Sequence, residues 1–165
     1  GDSGTDPDIA NTTVDRLLTE EVDAIVGAAA SGITGSVIEK ITSSGTTQCS
    51  PSNTAAGLGT SGDDGYYFRT APSDDLQAPA LANVVLGDGY TNVAVVSRAD
   101  DYGVGFNAEF EPAVAAGGGT IVYSEPYAPE STSFDDVVAD VIASGPDAVV
   151  IVAFEEGVQL IQAMI

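Results

Sequence analysis

Histidine and tryptophan are absent, and cysteine and methionine occur once each. Without histidine, the Ser-His-Asp and Cys-His routes to an activated nucleophile are closed, and the commonest metal ligand is missing. The lone Cys49 can form neither an internal disulfide nor a cysteine metal cluster. In the strand-like TTQCSP it reads as a buried, inert thiol. Basic residues are scarce: 4 Lys and Arg stand against 25 Asp and Glu, a net charge of −21. A phosphate backbone needs a basic surface, so nucleic acid is excluded as a partner, as are anionic membrane surfaces. The acid excess reads as solvated surface that keeps the protein soluble, also in salt. No apolar run approaches the ~18 residues of a membrane span.

What is present is enough for a core. Apolar residues make up 44% of 165 positions, which suits one domain or two small lobes. The stretch 24–36, AIVGAAASGITGS, sets the pattern. An apolar run breaks at Gly27, and Ile33, Val37 and Ile41 then follow at helical spacing. That predicts a buried strand, a tight turn and a helix from Gly32 to about Ser43 with Ser31 as its N-cap. Before it, Asp6-Pro7 opens a helix faced by Ala10, Val14, Leu17, Leu18 and Val22. After it, strands are expected at 46–50 and 66–70, separated by a polar, Gly-rich loop at 51–65.

The stretch 71–75, APSDD, is the expected lobe boundary. Pro79 conflicts with a regular helix from Ser73, so a turn to Gln77 and a helix over 78–86 are expected. Strands then follow at 92–97, 120–124 and 147–153. The helix marked by Phe106, Phe110 and Val114 contains Pro112. Ser133 with Asp136 resembles a capping box before SFDDVVADVIAS, which closes at Gly145-Pro146. A last helix covers 157–165. This β-then-α alternation predicts parallel sheets with right-handed crossovers. The chain opens on a helix with no strand before it and stops inside an apolar helix, as a piece of a longer protein would.

In such sheets ligands bind at the carboxyl ends of the strands. Four loops lie there: Ser31-Gly32, the stretch 50–54 (SPSNT), 100–103 (DDYG) and 154–156 (FEE). Hydroxyls and helix-start amides in the first two, and aromatics in the others, describe a cleft for a small polar ligand. Asp100 and Asp101 also fit plain helix caps. A phosphoacceptor pocket built on them is the rival reading. It is disfavoured because the one lysine, Lys40, lies in an earlier helix. A carboxylate-only enzyme is disfavoured because most acids fall at helix starts or on exposed faces.

The ordered set DSGTDP (2–7), VDAIVGAAASGITGS (22–36), SPSNT (50–54), YYFRTAPSD (66–74), VAVVSRADDYGVG (93–105) and SFDDVVADVIASGPDAVVIVAF (133–154) resembles one family. It is similar to the class I periplasmic solute-binding proteins of the branched-chain amino acid type, which feed ABC transporters. The resemblance implies a two-lobed α/β periplasmic-binding-protein type I fold, here incomplete at both ends. Residues 1–71 would be the later part of lobe one and 72–165 the first part of lobe two. It implies a non-enzymatic, extracytoplasmic protein, free or lipid-anchored, whose signal segment lies outside these residues. The ligand would be a small amino acid or related carboxylate, trapped between the lobes without cofactor or metal and delivered to a membrane permease. A sensory receptor of the same fold is the alternative.

Position by position, the resemblance assigns Ser31 and the adjacent Gly32 amide to the ligand carboxylate. Ser52 would contact ligand through its backbone, and Thr54 through its hydroxyl. Tyr102 would close over the ligand head group. Phe154 stands where relatives often carry tyrosine, which removes a hydroxyl donor. The acid that pairs with a ligand ammonium would lie beyond Ile165. A disulfide found in some relatives would link Thr5 and Ala30, and is absent because neither is cysteine. Such a fragment, with unpaired strand edges, is expected to self-associate.

Overall fold

The computed structural model describes residues 1–165. They form two compact units, Gly1–Ser73 and Asp74–Ile165. In the first, Asp6 accepts from the amides of Asp8 and Ile9 at 2.8 and 3.1 Å and so starts α1, Pro7–Thr19. Then come β1 (Ala24–Val26), α2 (Ser31–Ser43), β2 (Thr47–Ser50), a 3₁₀ turn at Ala56–Thr60 and β3 (Tyr67–Arg69). The strands pair in parallel in the order β1-β2-β3. Ala10 and Val14 of α1 pack with Ile33, Val37 and Ile41 of α2, and Ile25 of β1 joins them.

Side chains alternate along a strand, so the next residues face the other way. Val26, Cys49 and Phe68 are register partners across the three strands. Val26 is 82% exposed and Phe68 54%. Cys49 belongs to this row and is only partly buried, which corrects the reading of it as a core thiol.

The second unit carries α3 (Asp74–Gly87), β4 (Asn92–Ser97), α4 (Asp101–Ala116), β5 (Thr120–Ser124), α5 (Asp135–Ser144), β6 (Ala148–Val152) and α6 (Gly157–Met164). Its parallel sheet has the order β5-β4-β6. The central β4 shows what two covered faces demand of a strand. Val93 and Val95 pack with Phe106, Phe110 and Val114 of α4 and with Ala78 and Ala82 of α3. Ala94 and Val96 pack on the opposite side with Val138 and Val141 of α5 and Leu160 of α6.

Three local expectations differ from the structure. Helix α3 runs unbroken through Pro79. The hydrogen bond that proline removes is offset by packing, since Ala78 and Ala82 are buried in the core. Ser133 does not form a capping box with Asp136. Its hydroxyl bonds the Asp135 carboxylate at 3.0 Å, and Phe134 takes the cap position without a side-chain bond. The loop after β2 is not wholly irregular, because Ala56–Thr60 forms the 3₁₀ turn.

Gly103, in the first turn of α4, lies against the strand that precedes it. A Cβ there would stand 2.2 Å from the Arg98 carbonyl oxygen. Gly103→Ala should therefore cost about 1–3 kcal/mol, the range for forced overpacking, measured by urea unfolding; wild-type stability would contradict this packing.

Three of the four cations are held in ion pairs: Arg16 with Glu20 at 2.6 Å, Lys40 with Asp15 at 2.7 Å, and Arg98 with Asp100 at 2.8 Å and with Glu156. Most acids thus have no cation beside them and repel one another. Raising NaCl from about 0.1 to 1 M shortens the screening length from about 10 to 3 Å. The melting temperature should rise across that range, and a flat or falling trend would refute net repulsion as a destabilising force.

Candidate functional site

In the first unit the loops after β1 and β2 meet above the start of α2. Ser31 is the first residue inside that helix; Ala30 is the N-cap and makes no side-chain cap bond. The expected serine cap is thus displaced by one position, for a reason that the neighbouring loop supplies. The buried Ser31 hydroxyl accepts the amides of Thr54 and Ala55, each at 3.3 Å. A hydroxyl engaged twice as acceptor keeps its own proton to donate.

Thr54 Oγ1 is buried and has no hydrogen-bond partner. The first-turn amides of α2, including that of Gly32, receive no side-chain cap and carry the positive end of the helix dipole. Ser31, Gly32 and Thr54 therefore share one cluster of unused donors. Such a cluster suits a carboxylate.

The frame of this cluster is made of side chains that bond the 28–29 backbone. Ser50 Oγ donates to the Ala28 carbonyl at 2.7 Å and accepts the Asn53 amide at 3.1 Å. Ser52 Oγ and Asn53 Nδ2 both donate to the Ala29 carbonyl at 2.8 Å. The phenol of Tyr67 donates to Asn53 Oδ1 at 3.0 Å, and Arg69 Nη1 donates to the Ala55 carbonyl at 2.8 Å. Ser52 thus has a clear framing role through its side chain. Ser50 and Asn53 were named from sequence only within the 50–54 loop, and Tyr67 and Arg69 were not singled out. The signal available for the first two was their place in SPSNT, where short polar side chains close turns on the backbone.

In the second unit the loops after β4, β5 and β6 are laced together. The amide of Arg98 donates to the Val152 carbonyl, that of Ala99 to Tyr127, and that of Tyr127 to Ser97, at 3.0, 2.8 and 2.8 Å. Asp100 is the N-cap of α4: one oxygen accepts the Gly103 amide at 2.9 Å and the other accepts Arg98 Nε at 2.8 Å. Both oxygens have these structural partners, as the capping reading expects and a free phosphoacceptor would not.

Tyr102 and Phe154 are brought together. Their rings stack with centroids 5.7 Å apart and planes 7° from parallel. The Arg98 guanidinium lies over the Phe154 ring, 4.2 Å from its centroid. Glu156 Oε1 accepts from Arg98 Nη1, from the Tyr127 phenol at 2.7 Å and from the Phe154 amide at 3.3 Å. Burial opposes ionisation of Glu156, but the bonds from Tyr127, its own amide, Arg98 and the Phe154 amide hold its carboxyl below the usual range. Burial, and then the bond to Glu156, push the Tyr127 phenol well above its ordinary value. Burial foremost, with the charges of Asp74 and Asp100, raises Tyr102 as well. Arg98, Tyr127 and Glu156 were missed from sequence as partners of Phe154. The one available signal was that Arg98 is the sole cation among residues 74–165.

The family described as periplasmic binding protein matches residues 1–165. A chemotactic signal transduction system substrate-binding protein, BasB, of Halobacterium salinarum is 32% identical over 155 residues, 90% of this chain and 37% of its own length. Among solved structures, an extracellular ligand-binding receptor from Rhodopseudomonas palustris HaA2 superposes with a TM-score of 0.93 at 26% identity, covering 99% of this chain and 46% of that one. The branched-chain amino acid transporter substrate-binding protein LivJ from Streptococcus pneumoniae, in complex with isoleucine, gives a TM-score of 0.81 at 28% identity, covering 92% of this chain and 43% of that one. The chain thus spans less than half the length of each of these relatives. No helix in it is long and apolar enough to cross a membrane. With parallel α/β units, donor-lined loops at the strand ends and a family match across all 165 residues, the chain belongs to the periplasmic binding proteins and has their type I α/β fold.

Proposed function

We propose that this chain carries part of the ligand site of an extracytoplasmic solute-binding protein that takes a small amino acid or related carboxylate and passes it to an ABC transporter permease. The observation that carries the reading is the donor cluster of the first unit. The Ser31 hydroxyl, the uncapped start of α2 and the partnerless Thr54 Oγ1 lie together with no anion-accepting work assigned to them. An unpaired buried polar group costs about 1–3 kcal/mol, and a ligand that engaged the Thr54 hydroxyl would relieve that cost.

In this proposal residues 1–71 belong to one lobe and 72–165 to the other. Ser31 and the Gly32 amide bind the carboxylate, the Ser52 backbone and the Thr54 hydroxyl assist, and Tyr102 and Phe154 contact the remainder of the ligand. In this reading the site binds and does not react, in keeping with the solute-binding family. The isoleucine held by LivJ supports the ligand class. The chemotactic role in the name of BasB supports a second reading, in which the loaded protein signals to a receptor.

The first test is a thermal-shift panel of aliphatic amino acids, aromatic acids and amides on the full-length protein. A ligand at 100 times its Kd adds about 2.7 kcal/mol of stability, a readily measured rise. A rise with aliphatic amino acids is expected; a rise with aromatic acids alone would change the substrate, and silence across the whole panel would refute the ligand class. Ser31→Ala and Thr54→Val should each weaken binding of the active ligand by about 1–3 kcal/mol in calorimetry. Unchanged affinity in both would remove these residues from the site.

The 165-residue chain by itself has β1 and β3 at its sheet edges and the exposed Val26 and Phe68 on an uncovered face. These features support self-association through strand edges. Light scattering should return a mass above 16.6 kDa, lowered by Val26→Lys; a monodisperse monomer would refute it.

A further inference from the structure

The second unit spends its one cation on an aromatic ring. Arg98 is 7% exposed and lies immediately after β4. Its Nε is bonded to Asp100 and its Nη1 to Glu156. These two carboxylates, one before α4 and one before α6, hold the guanidinium plane in a fixed place. That plane covers a face of Phe154 at 4.2 Å from the centroid. Phe154 remains 39% exposed and stacks on Tyr102.

An exposed phenylalanine on a loop would ordinarily sample several rotamers. Here three constraints converge on it. The ring is attracted to the cation, its own amide is bonded to Glu156, and its neighbour ring lies parallel to it. Glu156 is the common member: the same Oε1 receives Arg98, the Phe154 amide and the Tyr127 phenol. Tyr127 adds the loop after β5 to the assembly, and its ring is packed edge-on against the buried Phe134. All three strand-end loops of the unit therefore meet at one carboxylate oxygen.

We propose that Glu156 and Arg98 are positioning residues that fix the Phe154 ring in its stacked orientation, so that this unit offers its ligand a preformed aromatic surface. This rests on the reading above in assigning Phe154 to the ligand. Fixing the ring beforehand removes the cost of ordering it during binding. The ion pair is thus tied to affinity through Phe154, without touching the ligand.

The test separates the two layers. In the full-length protein, 4-fluorophenylalanine is placed at position 154, and its ¹⁹F resonance is recorded without ligand. Wild type should give one line, shifted away from that of the free amino acid. Glu156→Gln, which removes the charge and keeps the size, should broaden the line and move it toward the free value. Glu156→Asp should restore part of the shift. Arg98→Lys keeps the charge but not the flat guanidinium, and should also move the line; it serves if Glu156→Gln fails to fold. An unchanged resonance in the folded variants would overturn the proposal.

Calorimetry with L-isoleucine and with 4-hydroxybenzoate forms the second arm. Glu156→Gln should weaken the probe that binds by about tenfold, a coupling of ordinary size for a contacting network, while Phe154→Ala removes the dependence on Glu156. A Glu156→Gln protein that binds like wild type, when Phe154→Ala does not, would overturn the positioning role and leave the ligand reading standing. If Phe154→Ala binds both probes like wild type, the assignment of Phe154 to the ligand fails, and the ¹⁹F shift still decides whether Glu156 orients the ring; if neither probe binds, the ¹⁹F shift alone decides.

Discussion

A parallel strand leaves its ladder with backbone groups that no neighbouring strand pairs, and those groups must find partners where the chain turns. Both units of this protein are shaped by that requirement, and each meets it with different chemistry. In the first unit, hydroxyl and amide side chains do the pairing. Ser50, Ser52 and Asn53 reach back to the carbonyls of Ala28 and Ala29. In the second, the strand-end loops bond one another, and the charged group of Arg98, Asp100 and Glu156 closes the arrangement.

The two solutions leave opposite remainders. Where carbonyls have been satisfied by side-chain donors, the surplus is donors: the Ser31 proton, the Thr54 hydroxyl and the first amides of α2. Where one guanidinium is shared by two carboxylates, a negative charge is left in excess, and the exposed remainder is the Phe154 ring. An anionic group is therefore favoured at the first set of loops and an apolar or flat group at the second. This division comes from loop chemistry, since both sheets have the same parallel construction.

The alternation of strands and helices was legible in the sequence, because apolar periodicity is a local property. VAVVS reads as a doubly buried strand and is one, with Val93 and Val95 on one side and Ala94 and Val96 on the other. The errors came from tertiary facts. Pro79 should have broken α3, but the packing of Ala78 and Ala82 carried the helix through it. Cys49 should have been core, but its row across the sheet is the uncovered one. Ser31 should have capped α2, but the loop carrying Thr54 and Ala55 claimed its hydroxyl. At the site, residues that stand near a turn in the sequence could be picked out singly. The company they keep could not, because Arg98 and Glu156 are separated by 58 positions.

The acid excess gives the Arg98 arrangement a particular meaning. In a chain with four cations and 25 acids, a buried arginine faces no shortage of anionic partners. Charge alone would pair it anywhere on the surface, where an exposed pair contributes little. Arg98 is instead buried beside two carboxylates, and taking all three from water carries a desolvation cost. A hydrophobic cluster of the same volume would avoid that cost, so the return must lie in orientation. An apolar cluster fills space but does not fix a ring plane. A planar cation held by two anchored carboxylates does, and the ring it fixes is Phe154, at the strand end where this fold presents its ligand-facing loops.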